Sequence, residues 1–314
     1  MISKLIDNLM ELLVVPSYTK LGFEFRKNNF FENIEYDASN LVICVTGCTS
    51  GLGLALCKAL ASMNASLVLV ARNKKKVQHL EKELSNITEG SVNSYIAELS
   101  DVKQVHLLAE KLQSLPKLTT LVNNAGYLAT GYEVNAQGIE KSFAVNCLAG
   151  FILTDKLKDK LSKNPYSSII NVSSGGMYTQ RINVKNLEKG NRPFNGVIAY
   201  AQAKRAQVIL NRVQSQSLSE SGIFTAAMHP GWAGTPGVES SLPGFFKLFE
   251  PILRNPEQGM DTILYLITKS DLASGSFWFD REARKEHIFF WTKEGIYEEE
   301  QLVATCKKLA LNES

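Results

Sequence analysis

The sequence has no CxxC pair, no long apolar run and no excess of one charge, and each absence removes a class of protein. Its cysteines are odd in number and irregularly spaced (Cys44, Cys48, Cys57, Cys147 and Cys306), which argues against a disulfide framework and favours a reducing compartment. No run reaches the roughly 18 apolar residues of a membrane-spanning helix. The 34 basic and 31 acidic residues leave a net charge of +3, too balanced for nucleic acid as the main partner.

The N-terminus also lacks a signal-peptide pattern, because Lys4, Asp7 and Glu11 interrupt its apolar residues and no small-residue cleavage site follows. The apolar spacing over residues 2–15 instead predicts an amphipathic helix that ends at Pro16. Packing of this helix on the rest of the protein is favoured; contact with a membrane surface or a partner is the alternative.

A regular alternation of apolar runs and helical patterns begins at Leu41. The runs predict about seven strands, at residues 41–45, 67–70, 92–96, 118–122, 168–172, 224–228 and 277–279, with helices at 52–62, 74–86, 101–114, 136–161 and 200–220. This order indicates an α/β fold, a doubly wound parallel sheet of the Rossmann type with helices on both faces. We therefore expect an N-terminal extension (1–39), a catalytic domain (40–275), and a strand and helix (276–314) that complete the same domain.

A glycine-rich turn, Thr46 to Gly53, joins the first strand to the first helix. Gly47 permits a tight turn, Gly51 lets the backbone approach a pyrophosphate, and Gly53 lets the helix pack closely. An ordinary strand–helix loop is the alternative, but the position after an apolar strand favours a dinucleotide site. We assign the same cofactor contact to Thr49, Ser50 and Leu52.

The second strand ends in Val70-Ala71-Arg72-Asn73, without the carboxylate that would hold the ribose 2′-hydroxyl of NAD. Arg72 is suited to pair with a 2′-phosphate, and Lys74 and its neighbours add positive potential. The sequence therefore predicts NADP(H); an NAD-linked enzyme with a solvated Arg72 is the alternative.

Tyr200 and Lys204 are four residues apart at the start of a predicted helix and share one face of it. A neighbouring ammonium favours the phenolate of a tyrosine, which then exchanges a proton with an alcohol. Ser173 and Ser174 close the fifth strand, where a hydroxyl can stabilise a developing oxyanion; ordinary turn chemistry is the alternative. Asn146 lies within a predicted helix and is interpreted either as a polar relay to Lys204 or as a buried amide tied to the backbone.

In this order, the motifs resemble those of the short-chain dehydrogenase/reductase superfamily: TGxxxGxG at 46–53, NNAG at 123–126, Asn146, Ser174, YxxxK at 200–204, and Pro230-Gly231 with Thr235. The resemblance implies a catalytic tetrad of Asn146, Ser174, Tyr200 and Lys204. It places Asn124, Ala125 and Gly126 on the adenosine side of the cofactor, and Pro230, Gly231 and Thr235 at the nicotinamide end. Glu98 replaces the usual aspartate near the adenine; with Leu99 it is assigned to that side.

The chain is thus predicted to be an NADP(H)-dependent oxidoreductase that interconverts a carbonyl and an alcohol on a small molecule. The apolar segment 236–256 suggests a hydrophobic substrate, with simple docking of a helix as the alternative. A cofactor-binding regulator without turnover is the rival function. His79, His106 and His287 predict no metal site. A cytoplasmic location is expected, with membrane association and a homo-oligomer left open.

Overall fold

Eight strands form one sheet at the centre of the protein, in the order β3-β2-β1-β4-β5-β6-β7-β8. The computed structural model describes residue 7, residues 14–190 and residues 192–311. The strands are β1 (Val42–Thr46), β2 (Ser66–Ala71), β3 (Val92–Ile96), β4 (Thr120–Asn123), β5 (Ser167–Val172), β6 (Ile223–Met228), β7 (Phe277–Phe279) and β8 (Glu282–Arg284). All pairs are parallel except β7 with β8. The predicted Rossmann-type sheet is confirmed.

The strand that the sequence prediction lacks, β8, pairs with β7 through a tight turn. Asp280 and Arg281 form this turn with φ of 49° and 60°, the left-handed backbone that two-residue hairpin turns use. Glu282–Arg284 contains two charged residues and no apolar run. Hydrophobic patterning therefore gives no signal for this short edge strand.

Twelve α-helices of five or more residues are described around the sheet, and they enclose two layers of apolar core. They are α1 (Val14–Tyr18), α2 (Lys20–Phe30), α3 (Gly51–Ser62), α4 (Lys74–Leu84), α5 (Val102–Gln113), α6 (Ala149–Leu161), α7 (Val184–Lys189), α8 (Gly196–Glu220), α9 (Pro236–Ser241), α10 (Pro243–Phe249), α11 (Pro256–Thr268) and α12 (Ile296–Ala310). One core layer joins α5, α6, α8 and α12 to the sheet, and the other joins α3, α4 and α11. Helices on both faces are thus confirmed.

The helix predicted over 136–161 begins later and changes its winding. Gly138 has φ of 75°, which a right-handed helix does not accept, and a bridge joins Val134 to Glu140. The helical part starts with a turn at Lys141–Phe143, continues as a π-helix at Ala144–Leu148, and becomes α6. In contrast, α8 begins earlier than predicted because the side chain of Asn195 accepts hydrogen bonds from the first turn.

The N-terminal extension packs on the domain through α1 and α2. Pro16 lies within the described helix α1, which continues to Tyr18, so the predicted helix end at this residue is wrong. Most of the helix predicted over 2–15, namely residues 2–6 and 8–13, lies outside the described residues. A Cβ on Gly22 of α2 would come within 2.4 Å of the Ser17 carbonyl, so the two helices meet at close range.

Strand order reverses between β1 and β4, since the chain runs outward from β1 to β3 and then returns to β4. In open parallel sheets, ligands bind outside the carboxyl ends of the strands at such a point. The motifs at 46–53 and 123–126 follow β1 and β4 directly, which brings them to this crevice.

Candidate active site

The structure brings Ser174, Tyr200 and Lys204 together at the carboxyl end of β5. The Ser174 side chain lies close enough to the Tyr200 phenol to lower its pKa, and the Ser174 Oγ accepts a hydrogen bond from the Gly176 amide at 3.2 Å. The Lys204 Nζ lies 5.8 Å from the centre of the Tyr200 ring. Both Ser174 and Tyr200 are partly exposed, whereas Lys204 is buried beneath them. A hydroxyl, a phenol and an amine therefore converge on one cleft.

Lys204 is held from below by polar groups of the sheet and its own helix. Its Nζ donates to the Val172 carbonyl at 2.7 Å and to the Gln207 Oε1 at 3.4 Å. Burial lowers the pKa of Lys204 to about 7, because the low-polarity surroundings disfavour the ammonium ion. The amine therefore gains and loses its proton near neutral pH.

Burial acts on Tyr200 in the other direction. It raises the pKa of the phenol above its usual value, and the hydrogen bond with Ser174 opposes this rise. The protein's own groups thus hold Tyr200 in its neutral form, in which the phenol is a proton donor. A positive charge in the cleft is needed to stabilise the phenolate.

Asn146 lies in the π-helix, and its side chain bonds to the main chain. The Asn146 Nδ2 donates to the carbonyls of Tyr127 at 2.6 Å and Ser142 at 2.7 Å, while Oδ1 accepts from the Tyr127 amide at 3.0 Å. These hydrogen bonds match the second interpretation of Asn146, in which it is a buried amide tied to the backbone. A cavity of about 10 Å³ separates Asn146 from Gln207, which also bonds Lys204.

The glycine turn is as tight as its sequence requires. Gly47 has φ of 69°, and a Cβ on Gly53 would lie 2.4 Å from the Gly47 carbonyl oxygen. Asn124 closes the turn from β4, since its Nδ2 donates to the carbonyls of Thr46 at 2.8 Å and Gly47 at 3.2 Å. Its amide and that of Ala125 both donate to the Thr46 hydroxyl at 3.0 Å. Thr46, absent from the predicted site, joins these two motifs.

The remaining cofactor candidates surround this turn. Arg72 follows β2 and is two-thirds exposed, with its Nη1 3.8 Å from the Glu98 Oε2. Glu98 follows β3 and accepts from the Ser100 amide and hydroxyl. Leu99 is buried in the core and lines the small cavity beside Asn146. A Cβ on Gly51 would come within 3.0 Å of the Thr235 methyl group, so the loop after β6 borders the glycine turn.

Aromatic side chains cover the loop after β6. The Trp232 ring lies 5.1 Å from that of Phe245 and 4.9 Å from that of Phe249. Neither α9 nor α10 has a fully buried residue, and α10 contacts the loop after β6 through Phe245 and Phe249. An apolar surface beside a hydroxyl and a phenol is suited to a hydrophobic substrate.

Comparison with known proteins identifies the family. A model of the short chain dehydrogenase family matches residues 41–243. The chain is 37% identical to dehydrogenase/reductase SDR family member 12 of Homo sapiens over 300 residues, 93% of this chain and 94% of that protein. It is 31% identical to retinol dehydrogenase 11 of Homo sapiens over 261 residues, 79% and 81% of the two chains.

The chain belongs to the short-chain dehydrogenase/reductase family. It is an oxidoreductase on this evidence, and the predicted family is confirmed. A solved structure, the short-chain dehydrogenase from Sphingobium yanoikuyae in complex with NADPH, matches with a TM-score of 0.60 at 23% identity, covering 72% of this chain and 83% of that one. This likeness supports the fold.

Sequence reasoning missed a buried charge cluster beneath the loop after β6. Arg254 makes two hydrogen bonds to Asp280, at 2.5 and 2.8 Å. Arg26 of α2 reaches the same carboxylate at 2.7 Å and Asp7 at 2.6 Å. These four side chains are at most 1% exposed. The paired residues Arg26 and Asp280 are 254 positions apart in sequence, so no local pattern reveals the cluster.

Among the described residues, one group of side chains has the composition of a metal site. Ligand atoms of Glu286, His287 and Glu294 are within 4.8 Å of one another. Arg212 donates to both carboxylates, at 2.9 and 2.5 Å, so their charge is compensated by a guanidinium. Among the described residues, no helix is long and apolar enough to cross a bilayer.

Proposed function

We propose that the protein is an NADP(H)-dependent oxidoreductase that reduces a hydrophobic carbonyl compound, and oxidises the alcohol, with Tyr200 as the acid/base. The observation that supports this proposal most is the convergence of Ser174, Tyr200 and Lys204 on one cleft beside the glycine turn. A regulator without turnover would not need a buried amine beneath a hydrogen-bonded phenol, because such burial costs stability.

The residues of the crevice fit a dinucleotide. A side chain at Gly53 would collide with the Gly47 carbonyl, so α3 packs closely against the turn, as the third glycine of a dinucleotide-binding turn requires. The N-terminus of α3 adds a favourable site for the negative charge. Arg72 and its exposed guanidinium would hold the 2′-phosphate that distinguishes NADP from NAD. When bound, NADPH supplies the hydride.

Each catalytic side chain has a separate role in the proposed reaction. Ser174 donates a hydrogen bond to the carbonyl oxygen of the substrate, where negative charge develops. Tyr200 donates its phenolic proton to that oxygen. Lys204 binds the ribose and stabilises the phenolate that remains. The cavity between Asn146 and Gln207 is about the size of one water molecule, which supports a proton path to Lys204.

The substrate class follows from the aromatic layer over the cleft. Trp232, Phe245 and Phe249 present ring faces and edges instead of charges, and the name of retinol dehydrogenase 11 indicates an apolar alcohol for that relative. A long apolar carbonyl such as all-trans-retinal, with acetone as the small comparison, is therefore the first probe. A cytoplasmic location and the domain limits at 39 and 275 also belong to this proposal. Membrane-surface contact through residues 2–15 and a homo-oligomer stay alternatives.

The Tyr200→Phe variant tests the proposal. Without the phenolic hydroxyl, NADPH oxidation with the apolar probe should fall by about 100-fold or more, while the Kd for NADPH should change little. Tyr166→Phe is the matched control, since Tyr166 is exposed and far along the chain from the site motifs. Equal turnover in Tyr200→Phe and the control would refute Tyr200 as the proton donor.

A further inference from the structure

The N-terminal segment Ser17–Thr19 is in main-chain contact with the loop after β6. The Trp232 amide donates to the Tyr18 carbonyl oxygen at 2.7 Å. A Cβ on Gly231 would lie 2.7 Å from the same oxygen, and Gly231 has φ of 74°. The Tyr18 carbonyl therefore fixes the position of Gly231 and Trp232 in the loop after β6.

The Tyr18 ring lies between this loop and the turn that follows Ser174. A Cβ on Gly175 would come within 2.5 Å of the Tyr18 Cε2. On its other sides the ring lies 4.7 Å from His229 and 6.2 Å from Trp232, measured between ring centroids. Tyr18 is 5% exposed. One buried side chain thus sets the spacing between the serine turn and the loop after β6.

Arg254 ties this segment to the same loop. Its Nη2 donates to the Ser17 carbonyl at 3.0 Å, its Nε to the Thr19 carbonyl at 3.3 Å, and its Nη1 to the Pro230 carbonyl at 3.3 Å. Its backbone amide also donates to the Trp232 carbonyl at 2.8 Å. Since the guanidinium is fully buried on Asp280, the segment and the loop are held as one unit.

We propose that Tyr18 is a positioning residue, which holds the Gly231–Trp232 loop against the nicotinamide side of the cleft at a fixed distance from Ser174. This inference rests on the proposed function for the meaning of the loop, and it adds the N-terminal extension to the active site. A displacement of reacting groups by about 1 Å lowers rates by as much as 100-fold. The position of one buried ring in the extension thus controls hydride-transfer geometry.

Three variants test the inference: Tyr18→Leu, which removes the ring; Tyr18→Phe, which restores it; and Phe31→Leu as the matched control. Phe31 belongs to the same extension but packs on Phe23 and Arg281, away from the loop. Hydrogen exchange of the Trp232 amide, NADPH affinity, and kcat with all-trans-retinal are measured for each variant.

We expect Tyr18→Leu to speed exchange at Trp232 by about tenfold and to lower kcat by about 10- to 100-fold. The Kd for NADPH should change less than about threefold, because the glycine turn and Arg72 are untouched. Tyr18→Phe should recover both values. Unchanged exchange and kcat in Tyr18→Leu, or equal losses in Phe31→Leu, would overturn the inference. A wild type without turnover would refute the proposed function instead, and the exchange measurement would still decide the role of Tyr18.

Discussion

Binding of NADPH should draw a proton into the site through Lys204. Burial lowers the pKa of this amine to about 7 in the protein alone, so at pH 8 only about one-tenth of the molecules carry the ammonium ion. The proposed contact with the cofactor ribose, close to anionic phosphates, favours the charged form. A complex in which Lys204 is fully charged therefore takes up about 0.9 proton at pH 8, about 0.5 at pH 7 and about 0.1 at pH 6.

Calorimetric titration with NADPH in two buffers of different ionisation enthalpy measures this uptake directly. Lys204→Met keeps the length of the side chain and removes its charge, so the uptake at pH 8 should fall to about zero. Lys117→Met is the control, because the Lys117 ammonium bonds the Asn40 carbonyl at the surface. The difference between wild type and Lys204→Met also cancels any proton exchanged by the 2′-phosphate.

The same pKa has a defined effect on stability. Because the folded protein holds the pKa of Lys204 below that of the free side chain, the unfolded chain binds more protons between about pH 7 and pH 10.5. This group therefore makes stability rise with pH over that window.

The calorimetric experiment also has a contradicting outcome. Equal proton uptake in wild type and Lys204→Met at pH 8 would refute the electrostatic account of the buried amine.

Two other changes test the cofactor and the charge cluster. Arg72→Ala should weaken NADPH binding by about 10- to 100-fold, the loss expected for a charge-assisted contact, and leave NADH binding unchanged. The control Arg181→Ala, at another exposed ion pair, should alter the binding of neither cofactor. An unchanged cofactor preference in Arg72→Ala would favour the NAD-linked alternative. Asp280→Asn should lower the free energy of unfolding by about 3–5 kcal/mol, because it leaves buried arginines without their shared anion. The arginines lower the pKa of Asp280, so its contribution is present at neutral pH and disappears as the pH falls through the folded pKa. Chemical denaturation over a descending pH series should show the difference in stability between the two proteins shrinking once the pH falls below the ordinary aspartate pKa. Equal stability at pH 7 would contradict this assignment.

Much of the architecture could be predicted because its signals are local. Runs such as Leu67–Val70 are apolar on both faces, as strands buried in a parallel sheet must be. The glycine turn could be identified because three glycines at fixed offsets are needed to keep side chains out of one small space. The edge strand β8 has neither kind of signal, since its charged residues lie at the margin of the sheet.

The site was only partly predictable for the same reason. The offset between Tyr200 and Lys204 puts both on one helical face, and the structure brings them to one cleft. The roles of Tyr18, Arg254 and Asp280 depend on segments that meet only in the folded chain. Pro16 was predicted to end a helix, whereas the described helix α1 continues past it to Tyr18.

Transfer of deuterium from the nicotinamide to the substrate tests the central claim most directly. NADPH labelled with deuterium at C4 of the nicotinamide on the transferred face is incubated with all-trans-retinal, and the alcohol is analysed by mass spectrometry. We predict that the wild type forms alcohol one mass unit heavier at its carbinol carbon, and that Tyr200→Phe, although it binds NADPH, forms almost none. Labelled alcohol produced equally fast by Tyr200→Phe would contradict the account.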